Sequence, residues 1–286
     1  MKRLDEALNS NHDNYIFPFF WQHGEEESVL REYVQAIDNA GIKSMCLECR
    51  PHPDFLGPKW WQDVDIILDE AKKHDMTLWI LDDAHFPTGY TNGAMKNEPD
   101  EKWKQFLTQK SFTVSGPIKE AVIDIGSCVH YEKPFGGGGS FLMGVNPETR
   151  EFQDEALVSV VMAKGLHEGI VEESVQEVTG LVKDGILRLD IPAGTWRFTV
   201  IFTTRNGGGS PGYINMVSKP SVKVLLDTVY EPHYEHYKEE FGKTILGFFS
   251  DEPQLGNIAG FDDDNRPGKD MQLPWSEELE DRLKKA

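Results

Sequence analysis

Cysteine is scarce in this 286-residue chain, with only Cys46, Cys49 and Cys128. An odd, small number argues against a disulfide framework. Cys46 and Cys49 have CxxC spacing, but in an extended strand residues three apart point to opposite faces, so they would not converge on a metal. Buried strand packing is the simpler reading. Positive charge is also short: 29 basic against 48 acidic residues give a net charge of −19. That balance repels phosphate backbones and anionic membranes, which excludes nucleic acid and lipid as partners and favours a neutral or cationic ligand. No stretch approaches the roughly 18 apolar residues of a membrane span, and Met1 to Asn14 has no apolar signal core, so the chain reads as cytoplasmic. No GxGxxG or GxxxxGK[ST] pattern follows the first strand, which weighs against nucleotide binding, and no HxH ends a strand. No cofactor and no metal are expected.

Apolar residues make up 39% of the sequence, enough for a real core, and the length suits one barrel or two smaller domains. The first hundred residues alternate strand and helix. Tyr15 to Trp21 is an aromatic-rich strand; Val29, Tyr33, Ala36, Ile37 and Ala40 recur at helical spacing up to Gly41. Lys43 to Glu48 is a second strand, Trp60, Trp61, Val64, Ile67, Leu68 and Ala71 mark a second helix, and Thr77 to Asp82 is a third strand. This alternation implies parallel pairing with right-handed crossovers, in either a barrel or an open doubly wound sheet.

Near Lys110 the pattern changes to short β-type runs separated by Gly, Pro and Asn: Ala121 to Ile125, Phe141 to Val145, Ala156 to Ala163, Gly185 to Ile191 and Thr195 to Thr203. They predict an antiparallel, sandwich-like domain with a hairpin turn at Pro192-Ala193-Gly194. Gly136 to Gly139 reads as a surface turn. Helical spacing returns at Val222, Leu225, Leu226, Val229 and Tyr230, with Pro232 as a kink, and Thr244 opens a fourth strand that stops on Ser250-Asp251-Glu252-Pro253. The expected fold is therefore α/β: a partial TIM-type (β/α) barrel, strands 1 to 3 in residues 1–108, interrupted by an inserted β domain at 109–212 and resumed by a helix and strand 4 in 213–286 with a polar tail. A barrel needs eight strand-helix units and about 250 residues without insertions. The four read here suggest half of a longer protein, whose unpaired strand edges would favour a homo-oligomer.

Several of these strands end in acidic residues. Glu48 closes the second, Asp82 and Asp83 the third, Asp251 and Glu252 the fourth, and barrels keep their chemistry at such carboxyl ends. Cleaving a glycosidic bond needs one carboxylic acid to protonate the leaving oxygen and a second carboxylate to attack carbon or activate water. Glu252, following Phe248 and Phe249, is the expected donor because an apolar surround raises a carboxyl pKa. Asp251 points the opposite way while the strand stays extended, so one of the two should face the pocket. The second carboxylate could be Glu48, Asp82 or Asp83, or it could lie in the other half of the barrel. Arg50 shares a strand face with Glu48 and could hold it, bind a sugar hydroxyl, or form an ordinary rim ion pair. Asp82 and Asp83 precede His85, and either could orient that ring or accept hydrogen bonds from substrate hydroxyls. Trp21 could stack on a sugar face, and His23 and His52, just after strand ends, could hydrogen-bond substrate or sit in solvated loops. Core packing is the expectation for Trp60 and Trp61. Asp262-Asp263-Asp264-Asn265 reads as a solvated loop without EF-hand spacing.

Phe17-Pro18-Phe19-Phe20-Trp21, the Gly41-Ile42 step into the strand ending at Glu48, Pro58-Lys59-Trp60-Trp61, Leu81-Asp82-Asp83 leading to Phe86-Pro87-Thr88-Gly89, and Gly247-Phe248-Phe249-Ser250-Asp251-Glu252-Pro253 together resemble the catalytic barrel of large bacterial glycoside hydrolases, nearest the α-L-rhamnosidase type of family 106. The resemblance spans roughly residues 15–100 and 215–255. It implies an acid-catalysed glycosidase acting on an oligosaccharide or glycoside, with Glu252 as proton donor. Many barrel glycosidases carry Asn before that Glu, where this chain has Asp251. Calcium assists sugar binding in the rhamnosidase type, but no ligand set is matched here. Two other readings stay open, a non-catalytic carbohydrate-binding or scaffold fragment and a metal-dependent hydrolase on the same barrel.

Overall fold

A computed structural model describes residues 4–5, 16–131, 150–166, 169–207, 212–255 and 272–285. The expectations for Gly136 to Gly139, Phe141 to Val145 and Asp262 to Asn265 fall outside them. The chain divides into two compact units, Met1–Ala94 with Lys223–Pro253, and Met95–Val222 with Gln254–Ala286.

The first unit holds a four-stranded, all-parallel sheet in the order β1 (Phe19–Trp21), β2 (Ser44–Glu48), β3 (Thr77–Leu81) and β10 (Ile245–Phe249). Helix α1 (Glu27–Asn39) joins the first pair, and α2 (Pro58–Lys73) the second. Proline at the start of α2 suits a position whose N–H has no intrahelical partner. Before β10 comes a helical run in three pieces, α3 (Lys219–Leu225), a π-turn (Leu226–Tyr230) and α4 (Glu231–Tyr237). The π-turn lies just upstream of Pro232, whose ring cannot tolerate the carbonyl four residues back, so the expected kink is realised as a widened turn. Among the described residues the sheet is open and does not close into a barrel.

Strand register sorts the side chains into two faces, because paired residues point the same way. Phe19 pairs with Cys46, Trp21 with Glu48, Cys46 with Trp79, Trp79 with Gly247, and Leu81 with Phe249. All of these share one face. The other face carries Phe20, Met45, Leu47, Leu78, Ile80 and Phe248, and the helices cover it: Phe20 meets Tyr33 of α1 edge-on, and Phe248 packs on Tyr230 and His233. On the helix-free face Phe19, Trp21 and Phe249 stay exposed. Phe19 and Phe249 belong to opposite edge strands, about 14 Å apart at normal strand spacing, yet their rings touch edge-to-face with centroids 5.2 Å apart. The sheet is therefore curled toward this face. A β-carbon on Gly247 would stand 3.3 Å from the Trp79 ring, so glycine lets the indole lie across β10.

The second unit is built on an antiparallel sheet of β11 (Leu273–Trp275), β4 (Gln105–Asp124), β9 (Ile186–Thr204), β5 (Ala156–Leu166) and β6 (Gly169–Ile170), with β7 (Gln176–Glu177) on β5 and β8 (Val182–Lys183) on β9. Helix α5 (Glu277–Leu283) follows, its N-terminus capped by the Ser276 hydroxyl, which accepts from the Leu279 amide. The sandwich of separate short strands expected from sequence is instead one sheet with two very long strands. Pro192-Ala193-Gly194 does not close a hairpin between two separate strands: β9 runs on through it, paired with β4 on both sides, and β4 is irregular at the same level between Gly116 and Ala121. Gly116 is required there, since a β-carbon would lie 2.1 Å from the Pro192 carbonyl oxygen. Ala121 and Leu187 on one side of the bend share a core cluster with Phe198 and Val200 on the other. A doubled-over ribbon thus makes the two-layered core that alternation in the sequence suggested.

All three cysteines are free thiols. Cys46 and Cys49 are buried, and burial with the nearby Glu48 charge pushes Cys46 up to about 12. No helix among the described residues is long and apolar enough to cross a membrane.

His233 ties α4 to α2. Its Nε2 accepts from the Trp60 indole N–H at 3.0 Å, and its Nδ1 donates to the Val229 carbonyl at 2.7 Å, which fixes the neutral tautomer. Burial lowers its pKa to about 4. An unfolded histidine titrates near 6.5, so its contribution is whole above that pH and is lost as pH falls toward 4, amounting to about 3 kcal/mol. Urea denaturation at pH 7.5 and 4.5 should show that His233→Gln loses less stability than wild type on acidification. Comparing the two proteins cancels the opposite trend from buried acids.

Candidate active site

The carboxyl ends of β2, β3 and β10 lie side by side, and each delivers acidic groups. Glu48 is the last residue of β2 and is 1% exposed. Arg50, two residues on, folds back over it: Nη2 donates to Glu48 Oε2 at 2.7 Å and Nε donates to Oε1. The same Nη2 donates to Asp251 Oδ2 at 2.8 Å. One guanidinium thus bridges two strand ends, and its plane sits over the Phe86 ring at 5.5 Å. Burial lowers the Arg50 pKa, but the two carboxylates more than offset this and hold it above its ordinary value. The cluster carries two acids and one base.

Asp251 and Glu252 take different directions, as expected for neighbours on a strand end, but the facing is the reverse of that expected. Counting from Phe249, which shares the Glu48 face, Asp251 is in phase with Glu48 and meets Arg50. Glu252 is exposed, and its φ of 48° lies in the left-handed region, so strand alternation has ended before it. Phe249 is itself exposed, so the apolar surround expected around Glu252 is not formed.

Asp82 and Asp83 are fully buried and turned onto protein groups. Asp82 accepts from the Thr88 hydroxyl at 2.5 Å and the Tyr230 hydroxyl at 2.7 Å. Asp83 accepts from the backbone amides of Gly89, Thr91 and Asn92 at 3.0, 2.7 and 3.0 Å. Burial raises the pKa of both, and these donors partly oppose it. Both acids organise the segment after β3 and present no oxygen at the surface. His85 Nδ1 lies 3.9 Å from Asp83 Oδ1, too far for a hydrogen bond. Trp21 is exposed on the Glu48 face. His23 is exposed and bonds Glu25 at 2.8 Å. His52 is a correction: it is no solvated loop residue but fully enclosed, with Nε2 3.0 Å from Asp63 and Nδ1 accepting the Asp54 amide at 3.1 Å. Its edge rests on Trp60, which is itself in the core.

Thr88, Tyr230 and Phe86 complete this arrangement. Tyr230 sits in an apolar helical stripe and Thr88 in a turn-forming run, and neither pattern signals a carboxylate partner. Among the described residues no group of three or more His, Cys, Asp or Glu is placed to hold a metal ion.

No family model and no curated protein matches the chain. Among solved structures, a rhamnosidase from Novosphingobium sp. PP1Y is similar at 11% identity and a TM-score of 0.41, over 77% of this chain and 36% of that one. The chain thus spans about a third of that protein's length. A likeness at this level bears on neither fold nor activity.

Removing one partner from a buried ion pair costs about 3–5 kcal/mol, whereas replacing both is far milder. Chemical denaturation should therefore show Arg50→Met destabilised by that order and the double variant Glu48→Gln with Arg50→Met recovering most of the loss. Asp83→Ala strands three backbone donors and should cost about 3 kcal/mol or more in the same assay.

Proposed function

We propose that this chain carries part of the active site of a glycoside hydrolase acting on neutral oligosaccharides, on the strand ends of a (β/α) barrel segment. The observation that carries the reading is the meeting of Glu48, Arg50 and Asp251 at the ends of β2 and β10, the two strands that flank β3, on the same sheet face as exposed Phe19, Trp21 and Phe249. Sugars offer apolar C–H faces to aromatic rings and hydroxyls to charged groups, so a rim of this composition suits them. Parallel strands in sequential order, helices on one face and ring contact between the edge strands support the barrel segment. Two carboxylates to one guanidinium, in a chain of net charge −19, favour a neutral ligand over an anionic one.

In this reading Glu252, exposed at the strand tip, brings the proton to the leaving glycosidic oxygen. Asp251, fixed by Arg50, is the carboxylate that faces the sugar ring. Glu48 holds the guanidinium from behind. Trp21 and Phe249 are the stacking surfaces, and Asp82, Asp83 and His52 are structural. A non-catalytic carbohydrate-binding role is the second reading, favoured by the inward commitment of Asp82, Asp83 and Glu48 to protein partners.

A panel of aryl glycosides tests this. Glu252→Gln and Asp251→Asn are each expected to lower kcat/KM by about 10²–10⁴-fold with unchanged circular dichroism. Wild-type rates in both variants would overturn the assignment, and sugar binding by calorimetry without turnover in wild type would favour the second reading.

A further inference from the structure

Thr88 is 2% exposed and meets Asp251 twice. Its amide donates to the Asp251 carbonyl at 2.9 Å, and its hydroxyl oxygen accepts from the Asp251 amide at 2.8 Å. A threonine hydroxyl has a single proton to give. Asp82 takes it at 2.5 Å, and the Tyr230 hydroxyl, 2.7 Å from the other Asp82 oxygen, keeps that carboxylate from turning. The Thr88 oxygen is thereby left with its lone pairs toward the Asp251 N–H.

The segment bearing Thr88 is itself fixed, since Asp83 grips the amides of Gly89, Thr91 and Asn92. The same segment supplies Phe86, on which the Arg50 guanidinium lies. Both members of the Arg50–Asp251 pair are thus held by one stretch of chain. The backbone of Asp251 also sets where Glu252 begins.

We propose that Thr88 is a positioning residue for the reaction: Asp82 orients its hydroxyl, and Thr88 clamps the Asp251 peptide so that the Asp251 carboxylate meets Arg50 and faces substrate. The inference rests on the role proposed for Asp251 above, and the test separates the two. Thr88→Val keeps the shape and removes the hydroxyl, whereas Thr88→Ser keeps the hydroxyl. Amide hydrogen exchange followed by NMR should show protection at Asp251 falling about tenfold in Thr88→Val and retained in Thr88→Ser, with the rest of β10 unchanged. On an aryl glycoside turned over by wild type, Thr88→Val should lower kcat by about 10–100-fold with KM changed less than about threefold, as expected when a group is misplaced rather than removed. Thr88→Ser should restore kcat. Unchanged Asp251 protection in Thr88→Val, or unchanged kcat while Asp251→Asn is inactive, overturns the positioning role. Full activity in Asp251→Asn overturns the parent reading, while the exchange measurement still decides whether the clamp exists.

Discussion

Arg50 is the constraint on which the strand-end arrangement depends. Among the described residues its guanidinium is the cation that joins Glu48 to Asp251, and Arg50 itself lies 201 positions from Asp251 in the sequence. Without it, a nearly inaccessible glutamate and a half-buried aspartate would repel each other across a region of low dielectric. A lysine could not do the same, because the fork of Arg50 engages both Glu48 oxygens while one nitrogen also reaches Asp251. The contact with Phe86 adds a flat apolar floor that suits a planar cation.

The two faces of the parallel sheet follow from the same alternation. Residues that meet the helices are large and aliphatic or aromatic and pack tightly, while those on the curled face end in Glu48 and Asp251 and include rings left in contact with solvent. Curling brings the two edge strands' phenylalanines together and gathers strand ends that would be splayed in a flat sheet. Local chemistry and sheet shape therefore support each other: the acids lie close enough to need Arg50 because the strands converge.

Much of the parallel sheet was legible from composition. Strands buried on both sides read as continuous apolar runs, and Gly41, Pro58 and Pro232 mark the helix limits where the backbone demands them. The pairing of Glu48 with Arg50 is legible as two residues on one side of a strand. Which of Asp251 and Glu252 shares that side was recoverable only from register, and a left-handed residue at 252 breaks the alternation on which the sequence argument relied. The bend in β9 was misread because Pro-Ala-Gly carries the chemistry of a reversal. Only its partner strand, deformed at the same level, reveals that the chain continues. Asp82 and Asp83 looked like ligands because sequence gives their type and place on a strand, not the donors that Thr88, Tyr230 and three loop amides bring to them.

The paired deformation of β4 and β9 limits how this part of the protein can vary. The strands remain in step for most of their length on either side of Gly116, and the layer on each side of the fold contributes to a common interior. Adding or deleting one residue in either strand alone would invert the inward and outward assignment of everything beyond that point. Length changes here can be tolerated only as matched events in both strands, so natural variants should differ in the connecting segments while the span of these two strands stays locked.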